Sequence, residues 1–193
     1  MSSLSKAFER LAKDQISEFI SSNRLLSKFQ SGFRKFHSTK TALLKITNDI
    51  RFNVDHKLVT VLVLLDFSKA FDTVDHSLLC GKLKSYFGFD DTSNALLCSY
   101  LSNRSQFVAT SSGTVSGHLP VLSGVPQGSV PGPLLFSLFI DGLSDILSSR
   151  YHFYADDVQL YSAFPLRERD DGIGLMNRDS DWAKMNMLDL NAK

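Results

Sequence analysis

Two adjacent carboxylates, Asp156 and Asp157, sit within the stretch Arg150-Tyr-His-Phe-Tyr-Ala-Asp-Asp-Val-Gln-Leu-Tyr-Ser162. Apolar or aromatic side chains recur at Tyr151, Phe153 and Ala155 before the pair and at Val158, Leu160 and Ala163 after it, a period of two around a tight turn. This spacing predicts a hairpin with both acids in its turn. Aspartate is a common turn residue, so the pair alone fits a solvated loop equally well. A third acid changes the weighing: Asp66 closes the run Leu58-Val-Thr-Val-Leu-Val-Leu-Leu65, which is too short for a membrane span and long enough for a buried strand. A strand apolar on both faces that ends in a carboxylate needs a partner or a metal for that charge. If Asp66 lies beside the hairpin tip, three carboxylates converge and raise one another's pKa unless divalent cations sit among them. Hard oxygen ligands of this kind suit magnesium or manganese. Two such ions can activate a hydroxyl and stabilise leaving oxygens in phosphoryl transfer.

These acids need a scaffold, and the rest of the chain supplies one. Leu4, Ala7, Phe8, Leu11, Ala12, Ile16, Phe19 and Ile20 describe an amphipathic helix over 4–20. The segment 25–35, broken by Gly32, reads as a loop, and Ser38 can cap a helix through Ala42, Leu43, Ile46 and Ile50; His37 reads as structural. After the strand come helical patterns at Leu79, Leu83, Tyr86 and Phe87, and at Leu96, Leu97, Tyr100 and Leu101. Arg104 to Thr110 and Thr114 to Leu122 read as strands joined at Ser111-Ser-Gly113. The loop Gly124-Val-Pro-Gln-Gly-Ser-Val-Pro-Gly-Pro133 precedes a helix through Leu134, Leu135, Leu138, Phe139, Leu143, Ile146 and Leu147. A last helix is expected from Arg167 to Leu188, with Trp182 and Ala183 on its apolar side. The element order predicts an α+β fold, an antiparallel sheet with helices packed on one face.

With 193 residues and 43% of them apolar, the chain can bury a real core. No apolar run reaches the ~18 residues of a membrane helix. The N-terminal residues show neither an apolar signal core nor a transit-peptide composition, so no address is readable and the location stays unknown, with nuclear and cytoplasmic both open inside the cell. Cys80 and Cys98 have no Cys or His partner at zinc-finger spacing and read as free thiols. Net charge is only +1, yet no acid occurs between Phe19 and Asn48, where Arg24, Lys28, Arg34, Lys35, Lys40 and Lys45 cluster. Such a run suits a solvated helix face or a nucleic-acid backbone about equally.

Taken together, the motifs resemble the palm and part of the fingers of a reverse transcriptase of the non-long-terminal-repeat (LINE-type, jockey-like) retrotransposons. Gln30-Ser-Gly-Phe-Arg-Lys-Phe-His-Ser-Thr39 is similar to the family's fingers motif and Leu65-Asp-Phe-Ser-Lys-Ala-Phe-Asp-Thr-Val-Asp-His76 to its first catalytic motif. Gly124-Val-Pro-Gln-Gly-Ser129 resembles the second, Tyr154-Ala-Asp-Asp157 the third, and the segment from Trp182 to Lys193 the fourth. Five motifs in order are far more specific than a lone Tyr-x-Asp-Asp.

The resemblance implies a right-hand polymerase palm whose metal site is Asp66, Asp156, Asp157 and the backbone carbonyl of Phe67, holding two Mg2+ or Mn2+ ions. It also implies RNA template, DNA primer and dNTPs as partners, with no membrane. Backbone amides near Lys69 and Ala70 would face the triphosphate. Phe71 would exclude a 2′-hydroxyl by volume, Gln127 and Gly128 would shape the nucleotide floor, and Arg34 and Lys35 would meet template phosphate. The implied layout is partial fingers over 1–57 and palm over 58–193, with a fingers-like insertion at 77–122, ending before a primer grip and thumb. Two rival readings stay open: an inactive retrotransposon remnant that binds nucleic acid through the basic stretch, and an unrelated metal nuclease.

Overall fold

The computed structural model describes residues 3–67, 69–145 and 147–185. The chain forms two compact units, one from residues 1–23 and 71–139, the other from 24–70 and 140–193.

In the first unit, helix α1 (Ser3–Ser22) runs through the predicted apolar periodicity. It buries Ile20 and, less expectedly, Glu9, while Leu4, Phe8 and Leu11 stay exposed among the described residues. Helices α3 (His76–Ser85) and α4 (Asp91–Leu101) each begin at an aspartate cap, Asp75 accepting from the Leu78 amide and Asp90 from the Thr92 and Ser93 amides. Between them they bury Leu79, Leu83, Leu97 and Leu101. This packing brings the Cα atoms of Cys80 and Cys98 to 5.9 Å, and the two are joined as a disulfide, which corrects the expectation of free thiols. The predicted hairpin survives only in part, as β2 (Ser105–Gln106) paired with β3 (Leu119–Pro120) plus one bridge between Ala109 and Val115. Its side chains are exposed, so no core face enforces longer pairing. Helix α5 (Gly132–Asp141) is buried all round through Leu135, Phe136 and Leu138. It stops at Asp141 and gives way to a 3-10 turn over Gly142–Asp145, so the expected continuation through Leu143 to Leu147 is not α-helical. Glycine at 142 is the residue least suited to continue it. Ile146 lies outside the described residues.

The second unit is built on an antiparallel sheet in the order β1-β5-β4, with β1 at Val59–Asp66, β4 at Arg150–Tyr154 and β5 at Asp157–Phe164. Helix α2 (Thr39–Asp55) starts at Ser38 in a reciprocal cap with Thr41, as the sequence predicts. Its Asp49 accepts a 2.6 Å hydrogen bond from the Tyr161 hydroxyl. Helix α6 (Arg169–Met185) instead sets Gly172 directly against the Phe164 ring. Tyr161 and Phe164 are an odd number of residues apart and point to opposite faces. The antiparallel sheet with its packed helices is the α+β arrangement the sequence predicts. Along the outer edge of β4 the loop residues pair with the strand, Ser31 N–H to Phe153 O and Phe153 N–H to Phe29 O, both at 2.8 Å. Asp179 of α6 is buried and accepts from the amides of Ser148 and Ser149, tying the approach to β4. The Trp182 side chain and residues 186–193, where the fourth motif and Leu188 were expected, lie outside the described residues.

Candidate active site

Hairpin register decides where the acids go. Tyr154 pairs with Asp157 and Phe153 with Val158, leaving only Ala155 and Asp156 in the turn. Asp157 is thus the first residue of β5, a correction to the reading that put both acids in the turn. Ala155 has φ +57°, the positive value at the first central position that a tight II′-like hairpin turn requires. On its other side Asp157 pairs with Asp66, so the last residue of β1 and the first of β5 are direct cross-strand neighbours. Directly opposed residues in an antiparallel pair share one face of the sheet, with Cβ atoms about 5 Å apart. Asp66 and Asp157 are therefore neighbours across the sheet, with Asp156 one residue away in the turn.

Their environment differs from the buried site the apolar run suggested. Asp66 and Asp157 are exposed and Asp156 is half-buried. On the same face Leu62 and Leu64 are also exposed, because β1 is an edge strand of this sheet and only Leu65 among its apolar residues is fully covered. Partial desolvation, then the charges of Asp156 and Asp66, raise the Asp157 pKa above its ordinary value. Three acidic charges thus press on one another, although among the described residues no set of three His, Cys, Asp or Glu side chains is arranged to hold a metal by itself. Magnesium sites in general take one or two carboxylates and complete the shell with water and substrate phosphates instead of an all-protein cage.

The remaining predicted residues fall in distinct settings. Phe67 is buried, Lys69 is exposed with φ +51°, and Ala70 is buried at the start of a 3-10 turn. In the first unit, Phe71 is half-buried with its ring 4.7 Å from that of Phe136. Gln127 and Gly128 are exposed, and Gln127 Nε2 donates to Asp72 Oδ1 at 3.0 Å. Two backbone bonds, Val125 N–H to Phe71 O and Gly124 N–H to Val74 O, hold the Gln127 loop to the segment that carries Phe71. In the second unit, Arg34 Nη1 donates to the Ser27 carbonyl at 3.0 Å and, more weakly, to that of Gln30 at 3.4 Å, while Lys35 projects into solvent. His37 Nδ1 meets the Lys35 carbonyl, in keeping with a structural role.

Sequence reasoning missed the carboxylates that organise these loops from a distance. Glu9, Asp49 and Asp179 are helical acids that look solvated in the sequence, and each is held by hydroxyl or amide donors. Only their place among apolar helix positions hinted at burial.

The profile of the reverse transcriptase (RNA-dependent DNA polymerase) family matches residues 1–193. The chain belongs to that family. Among its relatives is a Drosophila melanogaster protein named a probable RNA-directed DNA polymerase from transposon BS, 34% identical over 99% of this chain. Another is the RNA-directed DNA polymerase from the mobile element jockey of the same organism, 34% identical over 71% of this chain. The LINE-type, jockey-like resemblance read from the motifs therefore holds. The chain spans 22% and 15% of the length of those two relatives. A Candida tropicalis telomerase, solved with a fragment of telomeric RNA, superposes with a TM-score of 0.68 at 12% identity, covering 93% of this chain and 32% of that one. At that identity the likeness speaks for the α+β palm fold.

Proposed function

We propose that this chain is the palm and part of the fingers of an RNA-directed DNA polymerase, using dNTPs, a DNA primer and an RNA template. The observation that carries the reading is the register that seats Asp66 opposite Asp157 on one face, with Asp156 in the adjoining turn. Asp66, Asp156 and Asp157, with the Phe67 carbonyl, would hold two Mg2+ or Mn2+ ions. When bound, such ions lower the barrier by activating the primer hydroxyl and stabilising the leaving oxygens.

The chain's own residues do the positioning. The pairing of β1 with β5 fixes Asp66 and Asp157 on strand ends, which are more rigid than loops, and the tight turn carries Asp156 beside them. Amides near Lys69 and Ala70 would face the triphosphate. The Phe71 ring, braced by Phe136, would fill the space a 2′-hydroxyl needs, and the Gln127–Gly128 backbone would lie under the nucleotide, where glycine permits close approach. Lys35 is free to meet template phosphate, whereas Arg34 serves mainly to brace its own loop. The telomerase likeness, a protein solved with RNA, supports a nucleic-acid template as partner.

The test is twofold. Mn2+ titration followed by electron paramagnetic resonance should show binding that Asp66→Asn and Asp157→Asn each weaken, without loss of fold by circular dichroism. Single-dNTP addition to a DNA primer on RNA should be lost in the same variants. Mn2+ binding indifferent to both substitutions would remove the basis of the reading.

A further inference from the structure

Glu9 is a charged side chain only 3% exposed, on the same face of its helix as Ala12, Ile16 and Ile20. Among the described residues it makes no ion pair. A carboxylate removed from water is costly unless donors replace the water, and the structure supplies two. Tyr100 Oη donates to Glu9 Oε1 at 2.9 Å, and the backbone N–H of Val130 donates to Glu9 Oε2 at 3.0 Å. These partners come from α4 and from the Gly124–Pro133 loop, far apart in sequence. The same loop is tightened locally by Gly132 N–H to Ser129 Oγ at 3.1 Å and Ser129 N–H to the Pro126 carbonyl at 3.0 Å. Its leading end is bonded to Phe71 and Val74, and Gln127 reaches Asp72. The loop that holds Gln127 and Gly128 is therefore pinned at two places: to the Phe71 segment in front, and to Glu9 two to three residues behind.

We infer that Glu9 is a positioning residue for nucleotide selection, holding the Gln127–Gly128 loop against the Phe71–Asp72 segment through the Val130 amide and Tyr100. This rests on the polymerase reading and adds a residue that no motif contains. Its chemistry is that of an anionic acceptor for two neutral donors, which is stronger and more directional than a neutral pair. Burial, chiefly, and the neighbouring Glu9 charge push the Tyr100 hydroxyl up to about 12, so it stays a donor across the working pH range. Loss of the carboxylate frees the Val130 amide and leaves the Tyr100 hydroxyl without its acceptor. The loop then loses its carboxylate anchor and keeps its front attachment and the contact between Ser129 and Tyr100.

The experiment uses the whole 193-residue chain on oligo(dT)-primed poly(A) with a dideoxy-terminated primer, so that binding is read without turnover. Three quantities are measured: amide exchange at Val130, affinity for a fluorescent dTTP analogue, and affinity for the primed template itself. Glu9→Ala is expected to speed Val130 exchange and weaken the dTTP analogue, each by about tenfold, the scale of one lost hydrogen bond to a charged group. Primed-template affinity stays unchanged. Glu9→Gln, which keeps one acceptor for Val130 but no charge, restores both in part. Tyr100→Phe, which removes one donor in an otherwise unaltered fold, shifts the same two readouts by a smaller factor and serves if Glu9→Ala does not fold. Unchanged Val130 exchange in Glu9→Ala overturns the inference, as do an equal fall in template and nucleotide affinity or a Glu9→Gln variant no better than Glu9→Ala. If the unaltered chain binds no dTTP analogue while Val130 exchange still answers to Glu9, the polymerase reading fails and Glu9 is a loop clamp alone.

Discussion

Replacing Gly32 by alanine should damage the acidic turn from outside it. Gly32 sits in the loop that pairs along the outer edge of β4, and a Cβ built there would overlap the Ala155 nitrogen and lie 2.6 Å from the Ala155 Cα. Both are backbone atoms, so no side chain can swing away. Restoring an ordinary 3.4 Å contact with the Ala155 nitrogen requires a shift of more than about 1 Å in either the loop or the turn. The loop is held by the Ser31–Phe153 and Phe153–Phe29 bonds and by Gly32 N–H to Gln30 Oε1, each at 2.8 Å. The turn, whose Ala155 is already in the left-handed region, is the part that yields. Overpacking of this sort costs about 1–3 kcal/mol, which for a chain this size lowers Tm by roughly 2–4 °C per kcal/mol. A displacement near 1 Å at Asp156 and Asp157 would lower nucleotide addition by ~100-fold. Thermal melts and Mn2+ titration check the two parts separately. The control is Gly81→Ala in α3, where an added Cβ meets nothing within 4 Å and helix propensity favours alanine by up to ~1 kcal/mol. A Gly32→Ala protein with unaltered Tm and Mn2+ affinity would refute the reasoning.

Other perturbations have equally definite expectations. Burial raises the Asp49 pKa, but hydrogen bonds from Lys45 and Tyr161 and the charges of Lys45 and Arg150 outweigh it and leave it below the ordinary value. Because the folded pKa is the lower one, this contributes stability above the unfolded value near ~3.9 that disappears as pH falls through the folded pKa. Urea melts of wild type and Asp49→Asn should therefore differ at pH 6 and converge at low pH; a gap independent of pH contradicts the assignment. Phe71→Ala should relax discrimination against ribonucleotides in a dNTP/rNTP competition within an active longer form, and unchanged discrimination would assign the ring to packing against Phe136. Arg34 and Lys45 are engaged within the chain and Lys28 lies over the Phe29 ring, leaving Arg24, Lys35 and Lys40 of the basic stretch for phosphate. Binding of single-stranded RNA should then show a log–log salt slope of about −2, where six contacts would give about −4.

What the sequence revealed and what it hid follow from the range of the interactions. Alternation around Asp156-Asp157 and the apolar run before Asp66 are local signals, and both strands form where they predict. Nothing in an alanine announces a positive φ, so the assignment of Asp157 to the turn was off by one residue. The exposure of Asp66 could not be read because an apolar strand looks alike in the middle of a sheet and at its edge. Likewise the cysteines looked solitary until two short helices packed side by side. Glu9 and Asp49 depend on partners more than 100 residues away, Val130 and Tyr161, and no periodicity encodes such a bond.

The edge position of β1 has a further consequence. From Val59 to Leu65 the strand is Val-Thr-Val-Leu-Val-Leu-Leu, without charge, proline or glycine, and among the described residues it pairs only with β5. An edge strand of this composition is the kind that zips into cross-β fibrils where nothing covers its outer side. The segment that carries Asp66 into place is thus also the chain's most aggregation-competent window, and Asp66 stands at its end as a single gatekeeping charge.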